Sequence, residues 1–311
     1  MDVDKKENMS RPESFRTEVP GFSPGRQARA KARALRTVAV LLALSLVPTV
    51  AAQPKPARIV SLIPAVTEML FAIGSGDQVV GVSTFDTYPK EATTRPRVGG
   101  LFDPNFEAIL TLRPDLVIVY GSQEELIARL GRAKIPIYSY RHAGLADITE
   151  TIRAVGKRTG HLTEAAALAA QIEKDLEAVR KAVAGRPRPR TLMVFGREEA
   201  SMRGLYVSGG TGFLHDMLEA AGGVNVMADV KREGLQLSLE QLLSRAPDVV
   251  LELRITERWS AERQAREEAA WRAVSIPAVR AGRVHFLPDE ALTIPGPRVA
   301  AAVKAIADVL R

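Results

Sequence analysis

The chain has 311 residues, enough for two lobes with separate cores, and its 46% hydrophobic and 25% charged residues are typical of a soluble globular protein rather than a disordered one. The net charge is +7, but residues 1–52 hold nine Lys and Arg against five Asp and Glu, so most of the excess lies in this leader. Nucleic-acid-binding proteins concentrate basic charge on their folded part. The composition therefore excludes nucleic acid as an expected partner.

The leader has the pattern of a secretory signal. A basic segment at 26–36 precedes an uncharged run at 37–50, which is short for a membrane span. Small residues at 50–52 predict cleavage after Ala52, and an uncleaved membrane anchor is the alternative. The chain has no cysteine, so it has no disulfide and no residue for a bacterial lipid anchor. We expect a free periplasmic protein, not a lipoprotein.

Residues 53–57 form a spacer, and residues 58–160 alternate between strand and helix patterns. Continuous apolar, β-branched runs predict buried parallel strands, and Gly or Pro ends the helical runs. The predicted strands are 58–62, 79–83, 115–120 and 135–140, and the predicted helices are 67–73, 106–112 and 124–132. This alternation predicts an α/β lobe with a mainly parallel sheet.

A long helix is predicted within residues 161–186, because 164–184 contain no Gly or Pro. Twenty-odd residues span roughly 30 Å, enough to join two lobes. Residues 187–311 then form a second α/β lobe. Its predicted strands are 191–196, 248–253 and 283–287, and its predicted helices are 212–221, 239–245 and 298–310. No coiled-coil repeat or long apolar patch is readable, so we expect a monomer.

The two lobes repeat one short pattern. Glu107 stands seven residues before Pro114-Asp115, Glu240 stands seven residues before Pro247-Asp248, and an apolar strand follows each pair. Two similar α/β lobes joined by one helix leave a cleft between them, and clefts between domains are common ligand sites.

Four segments together resemble a known family, the periplasmic binding proteins for iron-siderophores, haem and vitamin B12, with the cobalamin-binding members closest. They are 61–68, 81–89, 112–118 and 295–298, and the resemblance covers residues 57–311. It implies two α/β lobes on a rigid backbone helix. It also implies the substrate-binding component of an ABC importer, with a permease and an ATPase as partners.

In that family each lobe presents a glutamate to arginines of the permease, and the matching residues are Glu107 and Glu240. Two acids on separate lobes would orient the encounter with a basic surface. The alternative is that both are helix acids favoured by the helix dipole. For Thr67 and Glu68, at the start of the first helix, we favour the second kind of interpretation: they cap the helix and complement its dipole.

The resemblance implies a transported ligand, for which we expect cobalamin or a related corrinoid. Cobalamin-binding members use aromatic residues in the cleft, and two loops supply matching candidates: Phe85, Tyr88, Leu101 and Phe102. The segment before Glu240 has no aromatic residue, so a ferric siderophore or haem stays the alternative. Further candidates lie near strand carboxyl ends, where open α/β sheets bind ligands: Tyr120, Tyr140, His142, Arg197, Tyr206 and Asp289.

Two of these candidates have a specific chemistry. His142 could ligate haem iron or corrinoid cobalt, and Arg197 could hold carboxylate or catecholate groups. The sequence has four histidines, no cysteine and no H-E-x-x-H pattern, so we expect neither a protein-built metal site nor a resident cofactor.

Two other functions remain open. A periplasmic hydrolase would need a nucleophile beside a base, but the sequence has no G-x-S-x-G motif and no evident Ser/His/Asp set. We therefore predict that the chain is not an enzyme. A sensory or adaptor protein that reuses the receptor fold is the third hypothesis.

Overall fold

The computed structural model describes residues 55–142, 144–254 and 259–311. The leader, its cleavage site after Ala52 and the first residues of the spacer lie outside this part of the chain. The strands are β1 (Ile59–Ser61), β2 (Val79–Val82), β3 (Leu116–Tyr120), β4 (Ile137–Tyr140), β5 (Arg190–Gly196), β6 (Leu205–Ser208), β7 (Val224–Asn225), β8 (Gly234–Leu237), β9 (Val249–Leu253) and β10 (Val284–Leu287). The α-helices are α1 (Pro64–Ala72), α2 (Phe106–Thr111), α3 (Glu124–Arg132), α4 (Leu145–Thr159), α5 (Leu162–Val183), α6 (Phe213–Ala220), α7 (Leu239–Arg245), α8 (Ala261–Arg272), α9 (Pro277–Arg280) and α10 (Val299–Val309).

Lobe one is built on a four-stranded sheet in the order β2-β1-β3-β4, and every pair in it is parallel. Its central strands β1 and β3 are buried on both faces, which explains their continuous apolar sequence. Pro64 does not simply end the first strand. It is the first residue of α1, where its fixed φ and missing N–H are compatible with a helix start.

Lobe two has a mixed sheet in the order β10-β9-β5-β6-β8, with β7 beside β5. The pairs β10–β9, β9–β5 and β5–β7 are parallel, whereas β6 pairs antiparallel with both β5 and β8. The sequence did not predict β6 or β8. Both segments are only four residues long, and in β8 only Leu237 is buried, so neither has the long apolar run that marks the other strands.

The long helix α5 joins the lobes, beginning at Leu162 and ending at Val183. Its buried residues recur every three or four positions, which turns one stripe inward: Ala165, Ala169, Ile172, Leu176 and Val179. This stripe belongs to a hydrophobic cluster that also contains Met69 of lobe one and Met193 of lobe two. The two lobes therefore share one continuous core across α5.

The repeated Pro-Asp pattern has the same geometry in both lobes. The residues before the prolines, Arg113 and Ala246, both adopt left-handed backbone with φ of 47° and 45°. Each aspartate then accepts a backbone N–H from the first strand of its lobe: Asp115 from Arg58 at 2.8 Å and Asp248 from Arg190 at 3.3 Å. Pro-Asp thus ends a helix and fixes the start of the next parallel strand.

The predicted fold class is confirmed. Two α/β lobes with mainly parallel strands flank one long backbone helix. Within the described ranges, none of the helices combines the length and the apolar character needed to cross a membrane.

Candidate functional site

The loops that follow the strands of the two lobes meet on one side of the molecule. In lobe one the loop after β2 carries Thr87 and Tyr88, and in lobe two the loop after β10 carries Glu290. The Thr87 hydroxyl donates a hydrogen bond to Glu290 Oε2 at 2.7 Å, so these loops touch across the interface. The carboxyl ends of both sheets therefore open onto a shared cleft, where open α/β sheets bind ligands.

An ion pair crosses between the lobes beside this contact. Arg298, just before α10, makes two hydrogen bonds to Glu68 of α1, at 3.0 Å from Nε and 2.5 Å from Nη2. Glu68 is only 3% exposed, and burial raises the pKa of its carboxyl while Arg298 opposes that change. Arg298 also lies 3.5 Å from Glu290. Glu68 is therefore a partner in an interlobe ion pair rather than a capping residue.

Exposed aromatic side chains lie on the loops and strand that border the cleft. Phe85 is 63% exposed, Tyr88 46%, Phe102 94% and Tyr206 46%. The Arg298 guanidinium lies 4.2 Å from the centre of the Tyr88 ring, which links this aromatic to the interlobe ion pair. The ring of Phe85 lies so close to Gly100 that a Cβ there would sit 2.6 Å from its edge, so a larger residue at this position would displace the ring.

A cavity of about 380 Å³ has Tyr206 in its wall and is lined by both lobes. Its wall residues are His142, Phe195, Tyr206, Phe213, Leu214, Glu233, Gly234 and Thr293. His142 from lobe one meets Phe213 from lobe two edge to face, with ring centres 5.6 Å apart. Phe195 and Tyr206 make a similar contact at 5.5 Å. The volume falls within the usual range for small-molecule sites.

His142 offers a neutral imidazole to this cavity. Burial lowers its pKa below the ordinary histidine value, although Glu233, Asp147 and Asp216 act in the opposite direction. Its Nδ1 lies 3.4 Å from the Tyr140 hydroxyl. A neutral imidazole has one nitrogen without a proton, and that nitrogen can accept a hydrogen bond or bind a metal.

A larger cavity of about 800 Å³ lies elsewhere, at the amino ends of the lobe-two strands. It is bordered by Arg186, Arg188 and Arg283 near the carboxyl ends of several helices, where basic side chains complement the helix dipoles. Ligands of open α/β sheets bind at the opposite, carboxyl end of the strands. We therefore place the candidate site in the cleft.

Three predicted residues stabilise the cleft through packing and hydrogen bonds beneath its surface. Tyr120 and Tyr140 pack edge to face at 5.9 Å, and burial raises the pKa of both hydroxyl groups. Tyr140 is only 5% exposed, so its hydroxyl contacts the His142 imidazole and would affect a ligand only by positioning that ring. The Leu101 carbonyl accepts a hydrogen bond from Gln123 at 3.0 Å, which fixes the loop that carries Phe102.

Two further predicted residues make contacts within the protein that stabilise its fold. The side chain of Arg197 is fully buried and ion-paired with Glu252 at 2.7 Å and Glu267 at 2.5 Å. Its guanidinium is therefore saturated inside lobe two and is not presented to a ligand. The exposed Asp289 accepts a hydrogen bond from the Ala291 amide at 2.9 Å and caps the short turn Glu290–Leu292.

Several residues of this region are not among the predicted site residues. Phe195, Phe213 and Glu233 line the cavity, and Arg298 and Glu290 tie the lobes. Arg298 belongs to a segment that supported the family resemblance, and that was the only available signal. Of the others, Phe195 lies within β5, Phe213 begins α6, Glu233 precedes β8 and Glu290 follows β10, and none has a distinctive local pattern.

Asp86 anchors the loop that carries Phe85 and Tyr88. Its carboxylate accepts the Ser83 amide at 2.7 Å, and it is fully buried. Burial raises the pKa of Asp86 to about 6, against the opposing effects of hydrogen bonds from Thr67 and Ser83 and the charge of Arg97. The folded chain therefore binds a proton here at a higher pH than the unfolded chain does.

The raised pKa of Asp86 predicts an unusual pH dependence of the free energy of unfolding. As the pH falls from 7 through 6 towards 4, Asp86 should add up to about 3 kcal/mol to the free energy of unfolding, and this gain is lost as the pH rises again. We expect Asp86→Asn to abolish that component. Urea denaturation of both proteins between pH 4 and 8 would measure it, with exposed Asp77→Asn as control. Parallel pH profiles for the wild type and Asp86→Asn would refute the assignment.

The two predicted docking acids differ in their surroundings. Glu107 on α2 has an 80% exposed side chain and lies 3.7 Å from Arg129. Glu240 on α7 is exposed, and among the residues whose contacts are described it has no ion-pair partner. Both acids are accessible from solvent, as docking would require.

Comparisons with known proteins agree with this architecture. Residues 59–291 match the family model described as periplasmic binding protein. The chain is 29% identical over 216 residues to a vitamin B12-binding protein of Yersinia pseudotuberculosis, covering 69% of this chain and 74% of that protein. The structure of BtuF, the periplasmic vitamin B12 binding protein of Vibrio cholerae, superposes with a TM-score of 0.70 at 27% identity, covering 82% and 96% of the two chains. The periplasmic heme-binding protein RhuT from Roseiflexus sp. RS-1 superposes with a TM-score of 0.69 at 28% identity, covering 81% and 97%.

Proposed function

Because the chain belongs to the periplasmic binding protein family, whose members of this type serve ABC importers, we propose that it captures cobalamin or a related corrinoid in the cleft. The observation that carries this proposal is the group of exposed aromatic side chains bordering the cleft. Isolated exposed aromatic residues are unremarkable, but several on the loops and strand that border one cleft favour an apolar binding surface. The likeness to vitamin B12-binding relatives supports the same choice.

The chemistry of the ligand fits this surface. A corrin ring is broad and largely apolar, and aromatic rings bury such faces without losing much side-chain freedom. Phe85 and Tyr88 come from lobe one and Tyr206 from lobe two, so a ligand in the cleft would contact both lobes. The chain itself supplies binding and orientation, and it carries out no reaction on its cargo.

Haem is the second candidate, and His142 is the observation that favours it. Its imidazole is neutral at pH 7, lines the cavity and sits beside Phe213. Imidazole is a good ligand for iron. The ferric-siderophore alternative is less well supported, because burial of Arg197 removes the guanidinium that would have held a carboxylate or catecholate.

We further propose that Glu107 and Glu240 dock the loaded protein on the permease of an importer that also contains an ATPase. Each exposed acid paired with an arginine contributes only about 0.2–1 kcal/mol. Two such acids on separate lobes orient the encounter and raise its rate. In this proposal the protein acts in the periplasm as a monomer, after removal of the leader and without a lipid anchor.

Calorimetric titration of the purified periplasmic protein tests the ligand. We expect saturable one-to-one binding of cyanocobalamin with Kd of about 1 μM or tighter, which corresponds to about −8 kcal/mol. Binding of haemin alone would select the second candidate, and binding of only a ferric hydroxamate or catecholate would select the siderophore. Failure of all four ligands would favour the sensory or adaptor function.

Truncation of Phe85 tests the role of the aromatic surface. Phe85→Ala should weaken ligand binding about tenfold, because the ring would lose contact area that burial by the ligand stabilises. Leu162→Ala is the matched control, since Leu162 is 60% exposed but stands at the start of α5, outside the loops that follow the strands. Equal affinity of Phe85→Ala and wild type would exclude Phe85 from the binding surface.

A further inference from the structure

Glu233 brings a carboxylate into the wall of the interlobe cavity, and its side chain is exposed. The Glu233 backbone carbonyl accepts the Gly209 amide at 3.0 Å, which fixes the residue just before β8. Among the described residues, no ion pair or hydrogen bond occupies its carboxylate. This acid is therefore available to a ligand that enters the cavity.

The rest of the described cavity wall carries no positive charge to balance Glu233. Apart from this acid, the wall consists of aromatic, apolar and neutral polar residues, and burial keeps the His142 imidazole neutral by lowering its pKa. Arg141 and Arg232 neighbour these two residues in the sequence, but both are exposed and neither belongs to the wall. A ligand in the cavity would thus meet a negative charge.

Two more acids act on the same side of the cavity. Asp147 and Asp216, together with Glu233, are the charged groups that oppose the lowered pKa of the cavity histidine. Asp147 accepts the Gly144 amide at 2.6 Å, and Asp216 accepts the Leu145 amide at 2.9 Å. These two carboxylates are engaged in holding the start of α4. Glu233 is the one that remains for a ligand.

The helix ends nearby do not cancel this charge. Glu233 lies against Gly212 at the start of α6, where a Cβ on the glycine would come 2.8 Å from the Glu233 Cγ. The amino end of a helix carries the equivalent of about half a positive charge. Three carboxylates face the amino ends of α4 and α6, so the negative charge prevails.

The aromatic wall strengthens the effect of the charge. Phe195 packs over the backbone next to Glu233, since a Cβ on Gly234 would lie 2.8 Å from its ring. Phe195 also meets Tyr206 edge to face at 5.5 Å. Charges interact more strongly beside such apolar groups than in bulk water. A second negative charge brought into this cavity would therefore be unfavourable.

We propose that Glu233 selects the cargo by charge: it accepts hydrogen bonds from the amide N–H groups of an uncharged cargo and disfavours cargo that carries carboxylates. This inference rests on the proposed function and narrows its choice of ligand. Cobalamin carries several primary amides around the corrin ring, whereas haem carries propionates. Hydrogen bonds to an ionised acceptor are stronger than those between neutral groups. The cavity would accordingly favour the amidated corrinoid over haem.

Calorimetry with paired ligands tests the proposal on the mature chain. The ligands are cyanocobalamin and its monocarboxylic acids, each of which has one side-chain amide hydrolysed and nearly the same shape. We expect the wild type to bind at least one of these acids about tenfold more weakly than cyanocobalamin. Glu233→Gln keeps an acceptor but removes the charge, so it should reduce that ratio to about twofold and bind cyanocobalamin within about threefold of wild type.

Glu164→Gln is the matched control, because it removes the same charge from an exposed acid in the first turn of α5. It should leave the wild-type ratio unchanged. Glu233→Lys should reverse the preference and tighten haemin binding about tenfold relative to wild type. A wild-type ratio in Glu233→Gln, or an equal fall of the ratio in Glu164→Gln, would overturn the role of Glu233. Thermal unfolding of every variant would show that the fold is intact.

The same titrations separate this inference from the proposed function. If the wild type binds cyanocobalamin but does not distinguish it from any of its monocarboxylic acids, the proposed function stands and charge selection is wrong. If the wild type binds haemin as tightly as cyanocobalamin, charge selection is also wrong, although the chain remains a receptor. If it binds neither, both proposals fall together.

Discussion

Replacement of Arg197 by methionine is expected to lower the free energy of unfolding by about 3–5 kcal/mol, because it leaves buried carboxylates without their cation. Arg197 holds Glu252 and Glu267, and all three side chains are at most 1% exposed. The indole of Trp271 donates a second hydrogen bond to Glu252 at 2.6 Å. Arg254, 16% exposed, also contacts Glu252 but cannot neutralise both acids alone.

Urea denaturation at pH 7 would measure this loss. Arg203→Met is the matched control, because Arg203 lies on the same loop but is 82% exposed and pairs with Glu198 on the surface. Exposed pairs of this kind contribute only about 0–1 kcal/mol. Adding Glu267→Gln to Arg197→Met should restore part of the stability, since it removes one of the unpaired charges. A loss below about 1 kcal/mol in Arg197→Met would show that Arg254 and hydrogen bonds suffice.

Replacement of Arg298 by leucine should lower the free energy of unfolding by about 3 kcal/mol, for a related reason. Glu68 has a 2% exposed side chain and would be left unpaired between the lobes. The same change would release the ring of Tyr88, which Arg298 covers at 4.2 Å. We therefore expect weaker ligand binding as well, although Arg298 itself need not touch the ligand.

Glu68→Gln separates the two effects, since it removes the charge pair but leaves Arg298 over Tyr88. It should lower stability by less than Arg298→Leu and leave the ligand affinity near that of wild type. The control is Arg153→Gln, which removes an exposed pair with Glu173 at 2.9 Å on the surface of α4 and α5. Equal stability of Arg298→Leu and the control would contradict the importance of the interlobe ion pair.

Local sequence patterns predicted most of the elements that carry the fold. Helix α3 has the predicted bounds, and the buried strands β3 and β9 begin within one residue of theirs. These elements have strong local signals, namely apolar continuity, Gly or Pro at the ends, and the repeated Pro-Asp device. The antiparallel pair of β6 and β8 was missed, because both strands are only four residues long and β8, at the sheet edge, is only partly buried.

The contacts that form the site were harder to predict, because they join distant parts of the chain. Arg298 and Glu68 are 230 residues apart, and Thr87 and Glu290 are 203 apart. Nothing local to Arg197 indicates that its partners lie on β9 and α8, 55 and 70 residues further on. The sequence predicts that Phe85 and Tyr206 lie near strand ends. Whether their side chains are exposed depends on how both lobes pack, which no local pattern reveals.

The continuous core across α5 affects how cargo is taken up and released. Receptors that close by large swings spend much of their time in states that cannot bind, and their apparent affinity falls by that fraction. Here the joined core and the Arg298–Glu68 pair tie the two lobes together, so the proposed site should need little rearrangement to bind its cargo. Uptake should then be limited by diffusion into the cleft. With a Kd of about 1 μM, diffusion-limited uptake at about 10⁸–10⁹ M⁻¹s⁻¹ implies that cargo also escapes within about 1–10 ms, so delivery would depend on a rapid encounter with the importer.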